Sequence, residues 1–247
     1  MKVSWVSVAT VSNAQRDANA QIVKTLGLPF HKGAGRLAIV GGGPSINSHL
    51  DELKAWDGAI WAVNGTINWC LSHAIEAAFY TIDALPPGKW FYDLSRVKRA
   101  VLASDCNPEL IRGLLSQGAK VELLPIPDGG PTSAAAADVL SLQAGYTNIT
   151  WFGCEGSFDE GTHAFASAEI PDWIDVDIGG QRYRTKPEFV GQSTIMAEVI
   201  RKFPQAYSER SGGLLRAMVE HGADHDVYQV SNSLYAKMIP KENAIGT

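Results

Sequence analysis

The stretch that decides the fold is RLAIVGGGPSI, residues 36–46. Its first part, 36–40, is a β-branched and apolar run of the kind that forms a buried strand. Three glycines and Pro44 follow at once, and apolar residues then recur at helical spacing, at Ile46, Leu50, Leu53 and Trp56. The stretch therefore predicts a strand, a tight turn and a helix.

The same alternation continues towards the C-terminus. Further strand-like runs stand at 59–63, 78–82, 99–103, 120–124 and 148–152, and the first three of these end at polar residues. Helical segments stand between several of them, namely a segment through Trp69 and Leu71, 108–117 and 133–144. Strands that alternate with helices indicate a parallel sheet with right-handed crossovers. We expect an α/β fold with a Rossmann-like, mostly parallel sheet, helices on both faces and a C-terminal lid insertion.

The alternation stops after residue 153, where the chain becomes rich in glycine, aspartate and aromatic residues. A hairpin is predicted at 174–183 and a helix at 193–203. We expect a lid over about 154–192, inserted before a last strand at 227–230.

The domain organisation follows from this pattern. Residues 36–247 are expected to form a single Rossmann-like transferase domain, and residues 1–35 an N-terminal arm. In the arm, 3–9 predicts a short strand, but the polar stretch 12–19 and the glycine-rich stretch 26–35 break the pattern.

Composition limits the function classes. The chain has 247 residues, of which 45% are hydrophobic and 19% charged, as in globular proteins with an ample core. A net charge of −5 disfavours general binding to nucleic acids or anionic membranes. Three well-separated cysteines form no zinc or redox motif. No apolar run approaches the ~18 residues of a membrane span and no signal peptide is evident, so we expect a cytoplasmic location.

The glycine-rich turn is the first candidate binding site. Gly41, Gly42 and Gly43 would let the backbone approach an anion and adopt positive φ, and Ser45 adds a hydroxyl beside free amides at a helix start. We expect these residues to bind a phosphate. A tight strand-to-helix turn without a ligand is the alternative. The spacing is neither G-x-G-x-x-G nor G-x-x-x-x-G-K-[ST], which weakens the dinucleotide and Walker-type interpretations.

Other candidates follow later strands. Asn64 and Asp83 end the second and third strands, where they could bind a ribose or base, or in the case of Asp83 a metal. Gly130, Thr132 and Ser133 repeat the pattern of the first loop, in which glycine is followed by a hydroxyl residue at the start of a helix, here the helix at 133–144. Local turn and N-cap roles are the alternatives for all of these.

A general base is expected in the predicted lid. His163 is the candidate, in the company of Glu155 and Asp159. The alternative is a solvated loop histidine.

Seven motifs, taken in order, resemble the MptE-like superfamily. They are GGGPS at 41–45, AVNGT at 62–66, YTID at 80–83, LASDC at 102–106, GGPTS at 129–133, GYTNITWFG at 145–153 and HAF at 163–165. That group includes 6-hydroxymethylpterin pyrophosphokinase-like proteins and motility-associated flagellin glycosyltransferases. The chain is also similar to bacterial sialyltransferases over roughly residues 36–240.

The resemblance implies a nucleotide-dependent transferase that moves a sugar from a nucleotide-activated donor to an acceptor hydroxyl. It would place the donor's nucleotide on Gly43, Ser45 and Asn64, and the ribose-phosphate or sugar on Thr132 and Ser133. The nucleotide-sugar is then a co-substrate, with no firm metal requirement. The acceptor and the oligomeric state stay open, and a homo-oligomer is one of the options.

The chain departs from these families at several positions. Cys154 and Glu155 stand where relatives carry a small or apolar residue and an Asp, and Phe158 and Phe165 replace lid tyrosines. The alternative enzyme is an Mg-ATP-dependent diphosphokinase that acts on a hydroxymethyl heterocycle. The pyrophosphokinase-like proteins resemble this alternative by carrying clustered acidic residues for magnesium after the third strand, whereas this chain has Asp83 alone there. A nucleotide-binding module without turnover is the alternative from another class.

Overall fold

The computed structural model describes residues 11–85, 93–126, 132–158, 173–222 and, for the backbone alone, 226–230. The strands, numbered in chain order, are Gly35–Val40 (β1), Ala59–Val63 (β2), Ala78–Thr81 (β3), Arg99–Ala103 (β4), Lys120–Leu124 (β5), Tyr146–Phe152 (β6), Ile174–Ile178 (β7), Gln181–Thr185 (β8), Tyr207–Glu209 (β9) and Asp226–Val230 (β10). The α-helices are Asn13–Lys24 (α1), Leu50–Lys54 (α2), Thr66–Ser72 (α3), Pro108–Ser116 (α4), Ser133–Ala144 (α5), Pro187–Lys202 (α6) and Gly213–His221 (α7).

Seven strands form one parallel sheet in the order β5-β4-β3-β2-β1-β6-β9. In β1, Leu37 and Ile39 enter one buried cluster, whereas Ala38 and Val40 enter another. Helices α5, α6 and α7 contribute to the first cluster, and α2, α3 and α4 to the second. Because both faces are covered, the central strands of the sheet are mostly apolar. The predicted Rossmann-like α/β fold is confirmed.

The strand order reverses between β1 and β6. From β1 to β5 the chain adds strands on one side, and it then crosses back to place β6 and β9 on the other side of β1. Open α/β sheets bind ligands at the carboxyl ends of the strands that flank such a reversal. Here those ends are the glycine-rich turn after β1 and the segment that begins at Gly153 after β6.

The C-terminal part departs from the prediction in three respects. The predicted hairpin exists as β7 and β8, but the expected last strand, β10, pairs antiparallel with β7 in a separate three-stranded sheet, β10-β7-β8. The seventh strand of the main sheet is β9, which the sequence did not predict. The predicted helix at 193–203 begins earlier, at Pro187, because proline fits the first turn of a helix.

The N-terminal arm contains a helix that the sequence did not predict. The predicted strand at 3–9 lies outside the described residues. Where a break was expected, Ser12 caps α1 by accepting a hydrogen bond from the amide of Gln15 (3.2 Å). The following segment lies beside β5, where the amide of His31 donates to the carbonyl of Leu123 (2.7 Å). None of the described helices is long and apolar enough to cross a membrane.

Candidate functional site

The glycine-rich turn lies against the segment that follows β6. The amide of Gly41 donates to the carbonyl of Phe152 and that of Gly43 to the carbonyl of Gly153, both at 2.8 Å. A Cβ at Gly41 would overlap the carbonyl oxygen of Gly153 and lie 2.7 Å from the Sγ of Cys154. Glycine is needed here because two chain segments approach closely.

The expectation of positive φ in this turn is wrong. Gly41, Gly42 and Gly43 all lie outside the positive-φ region, and Gly43 is extended at φ −72° and ψ 154°. A short 3₁₀ helix, Pro44–His49, begins directly after it. Glycine is therefore required in this turn because a side chain would not fit. Pro44 lies in the first helical turn, as predicted.

A carboxylate occupies the position where a phosphate was expected. The amide of Ser45 donates to Oε1 of Glu155 at 2.6 Å. A Cβ at Gly43 would overlap Oε2 of the same carboxylate, and Glu155 is only 6% exposed. Carboxylates and phosphates accept hydrogen bonds from the same kind of backbone donor. The turn thus holds an anion that the chain itself supplies.

The backbone around Glu155 is tied to the start of α7. The carbonyl of Glu155 accepts from the amide of Leu215 (2.9 Å), and the amide of Cys154 donates to Oγ of Ser211 (2.9 Å). Burial raises the pKa of the Cys154 thiol well above its usual value, so this thiol stays protonated and unreactive at neutral pH. Glu155 is consequently held from both its backbone and its side chain.

Asn64 forms the left-handed turn after β2. Its φ is +50°, a conformation that asparagine tolerates better than most residues, and its amide donates to the carbonyl of Tyr80 (2.9 Å). Its side-chain Oδ1 is buried and accepts no hydrogen bond from the described part of the chain. A buried acceptor of this kind is suited to a ligand donor.

Asp83 lies after β3 and stabilises its own turn. Its Oδ1 accepts from the amide of Leu85 (2.9 Å). Burial raises the pKa of the Asp83 carboxyl, while the Leu85 amide and the Arg16 guanidinium act in the opposite direction. The local turn role that was the alternative for Asp83 is therefore present.

Thr132 is the N-cap of α5, which is the structural role given above as the alternative to ligand binding. Its Oγ1 accepts from the amide of Ala135 (3.2 Å) and donates to Oε1 of Gln192 on α6 (2.7 Å). Ser133 is buried at the first helical position. Gly130 lies outside the described residues. The Thr132 hydroxyl is thus engaged with structural neighbours in the described part of the chain.

The structure brings the glycine turn, Ser45 and Glu155 together, and places Asn64 and Asp83 at the ends of the next two strands along the sheet. His163 and Asp159, the other two candidates for acid–base chemistry, lie outside the described residues.

An ion pair that no sequence pattern predicts lies at this edge of the sheet. Nη1 of Arg16, on α1, lies 3.2 Å from Oδ2 of Asp105, whose side chain is fully buried after β4. Burial raises the pKa of the Asp105 carboxyl, and Arg16 acts against that shift. Asp105 belongs to the LASDC motif, but its partner comes from the arm 89 residues earlier, which no local pattern indicates.

Among the described residues, no group of three or more His, Cys, Asp or Glu side chains could hold a metal ion. Comparison of the chain with protein-family models and with curated proteins gives no match.

Proposed function

We propose that the chain binds a nucleotide-activated sugar where the strand order reverses, between β1 and β6, and transfers the sugar to an acceptor hydroxyl. The observation that carries the proposal is the hydrogen bond from the Ser45 amide to the Glu155 carboxylate (2.6 Å) at this position. It supports an anion site at the place where parallel α/β sheets bind ligands.

The donor's phosphate would replace the carboxylate at Ser45. A backbone amide aimed at a phosphate oxygen stabilises the negative charge that develops on the departing nucleotide, which favours transfer. Asn64 lies at the end of the neighbouring strand with its Oδ1 buried. This oxygen is suited to a hydroxyl of the ribose or an amino group of the base.

Glu155→Gln should strengthen donor binding. The substitution keeps the shape of the side chain but removes the charge that competes with phosphate. Hydrogen bonds to charged groups exceed neutral ones by about 1 kcal/mol, so the gain in affinity should be about fivefold. Thermal shift against CMP-, UDP- and GDP-sugars identifies the donor, and calorimetry then gives the Kd.

Glu198→Gln, at an exposed position on α6, is the matched control and should leave the Kd unchanged. The proposal fails if no nucleotide sugar raises the melting temperature of either the wild-type protein or Glu155→Gln. If a donor binds Glu155→Gln more weakly than the wild type, the carboxylate assists binding. This result would refute the idea that the carboxylate competes with the donor's phosphate.

The alternative enzyme transfers diphosphate from Mg-ATP and needs two acidic residues on the metal. Asp83 and Asp105 end adjacent strands, but Asp83 accepts from the Leu85 amide and Asp105 pairs with Arg16. We therefore expect sugar transfer to persist in EDTA, because the carboxylates that could bind Mg²⁺ are engaged within the chain. Turnover assayed in EDTA and again with excess magnesium decides the point. Loss in chelator with full recovery in magnesium would favour diphosphate transfer.

A nucleotide-binding module without turnover is the alternative from another class. It would bind a donor in calorimetry and consume none of it over long incubation, so product analysis of the same samples separates it from an enzyme.

A further inference from the structure

Residues 29–32, the edge segment, cover the outer side of β5, the last strand of the main sheet on that side. The amide of Leu123 donates to the carbonyl of Pro29 (2.9 Å), and the amide of His31 donates to the carbonyl of Leu123 (2.7 Å). An uncovered edge strand offers such backbone groups to other chains. The edge segment therefore closes this side of the sheet.

His31 is the side chain that attaches the edge segment to the sheet. It is the only buried residue among 29–34, whereas its neighbour Phe30 is 61% exposed. The His31 ring packs on the rings of Trp61 and Tyr146, with centroid distances of 5.7 and 5.9 Å. The side-chain contacts of the segment with the core are thus concentrated in one imidazole.

The chain on both sides of the edge segment is attached by other contacts. Before it, Leu26 and Leu28 pack against the second buried cluster. After it, the amide of Gly33 donates to the carbonyl of Ala144 (2.7 Å). Loss of the His31 contacts would therefore free the edge segment locally and leave α1 and the sheet in place.

The contacts of the His31 ring are those of a neutral imidazole. Nδ1 lies 3.1 Å from Oε2 of Glu122, and Nε2 lies 3.0 Å from the hydroxyl of Tyr146. Because a carboxylate can only accept, Nδ1 carries the proton and Nε2 accepts from the Tyr146 hydroxyl. A second proton, on Nε2, would point at this hydroxyl and leave its buried O–H without an acceptor.

The charges around the ring also disfavour a second proton. Arg99 and Lys120 lie 3.2 and 3.0 Å from the Glu122 carboxylate, so two cations already share its single negative charge. These three residues and Tyr146 are the titratable groups that face the ring from β4, β5 and β6 in the described part of the chain. Burial lowers the pKa of His31, and the Glu122 carboxylate acts in the opposite direction.

We propose that His31 is a pH-sensitive latch, which holds the edge segment on β5 while its imidazole is neutral and releases the segment when the imidazole is protonated. Release would uncover the edge of the sheet at Leu123. The inference is independent of the proposed sugar transfer, since it depends only on the contacts of His31.

The latch should weaken as the pH falls. A released His31 binds a proton at the usual pKa of about 6.5, whereas the attached ring stays neutral, so acid favours release. The equilibrium constant for release should rise by about 10- to 30-fold between pH 7.5 and pH 5.0.

Hydrogen exchange of the Leu123 amide, measured by NMR on the full chain, tests this change. Its protection factor, which corrects for the intrinsic pH dependence of exchange, should fall by about 10- to 30-fold over the same pH range. The protection factors of the β1 amides should stay unchanged, because release does not disturb the centre of the sheet.

Two variants separate His31 from other titrating groups. His31→Gln keeps a donor and an acceptor but takes up no proton, so its Leu123 protection should be independent of pH. His221→Gln is the matched control, since that side chain is 52% exposed at the end of α7, and it should behave as the wild type. The proposal is overturned if Leu123 protection in the wild type is constant, or if His31→Gln shows the same pH dependence as the wild type.

Titration of the histidine ring protons of the wild type, followed by NMR, needs no variant. The His31 ring should titrate below the usual pKa of about 6.5. Titration at or above that value would mean that the attached segment tolerates a charged ring, and would refute the latch.

Discussion

Gly41→Ala is expected to lower the stability of the fold more than Gly43→Ala. A Cβ at Gly41 would meet the carbonyl of Gly153 and the Sγ of Cys154, which are fixed by the pairing of β1 with β6. A Cβ at Gly43 would meet the end of the buried Glu155 side chain, whose displacement would cost its hydrogen bond to the Ser45 amide but would leave the pairing of β1 with β6 in place. Overpacking of a fixed contact costs about 1–3 kcal/mol or more. In a chain of this size, each kcal/mol corresponds to about 2–4 °C in melting temperature.

Thermal unfolding of the two alanine variants beside the wild type measures this difference. We expect Gly41→Ala to melt well over about 4 °C below the wild type, and Gly43→Ala, which gives up one hydrogen bond of about 1 kcal/mol, to melt about 2–4 °C below it. If both melt alike, the contact between the turn and the segment after β6 does not constrain the fold. Gly43→Val, whose larger side chain would fill the position of the Glu155 carboxylate, is predicted to weaken nucleotide binding in a folded protein.

Most of the sheet could be predicted from the sequence. Strands β1 to β6 contribute side chains to both buried clusters, so their sequences are mostly apolar and stand out from their surroundings. Strand β9 has only three residues and contains Ser208 and Glu209, so its sequence has no comparable run. It is a strand because it pairs with β6 at the sheet edge, from Ile149 with Tyr207 to Trp151 with Glu209.

Helix α1 was missed for a related reason. Its sequence, NAQRDANAQIVK, lacks apolar periodicity, and its position is set by hydrogen bonds from Asn19 to carbonyls 65 and 86 residues away. Local patterns carry no information on such contacts.

The candidate site was predicted in its parts but not in its arrangement. Ser45 and Glu155 were both singled out, yet their hydrogen bond joins residues 110 apart in sequence. It forms because β6 returns to lie beside β1, and the alternation of strands and helices does not fix that order. The sequence therefore predicted a phosphate at this turn without indicating that a carboxylate of the chain would accept the Ser45 amide.

The largest effect on turnover is expected from His163→Ala. The residue lies outside the described part of the chain, so its role rests on the sequence pattern and the family resemblance. A positioned general base contributes about 10²–10⁴-fold to the rate, so the kcat of sugar transfer should fall by that factor. Donor affinity should stay nearly unchanged, because the base acts on the acceptor hydroxyl and not on the donor's phosphate.

Steady-state kinetics with the identified donor and acceptor measures the change in kcat, and calorimetry measures the donor Kd. His221→Ala is a matched control, because the His221 side chain is 52% exposed at the end of α7 and should be dispensable for the rate. An unaltered kcat in His163→Ala would remove this residue from the mechanism. Asp159 would then be the next residue to test, ahead of Glu155, because the Glu155 carboxylate accepts the Ser45 amide and is already committed to the position proposed for the donor's phosphate.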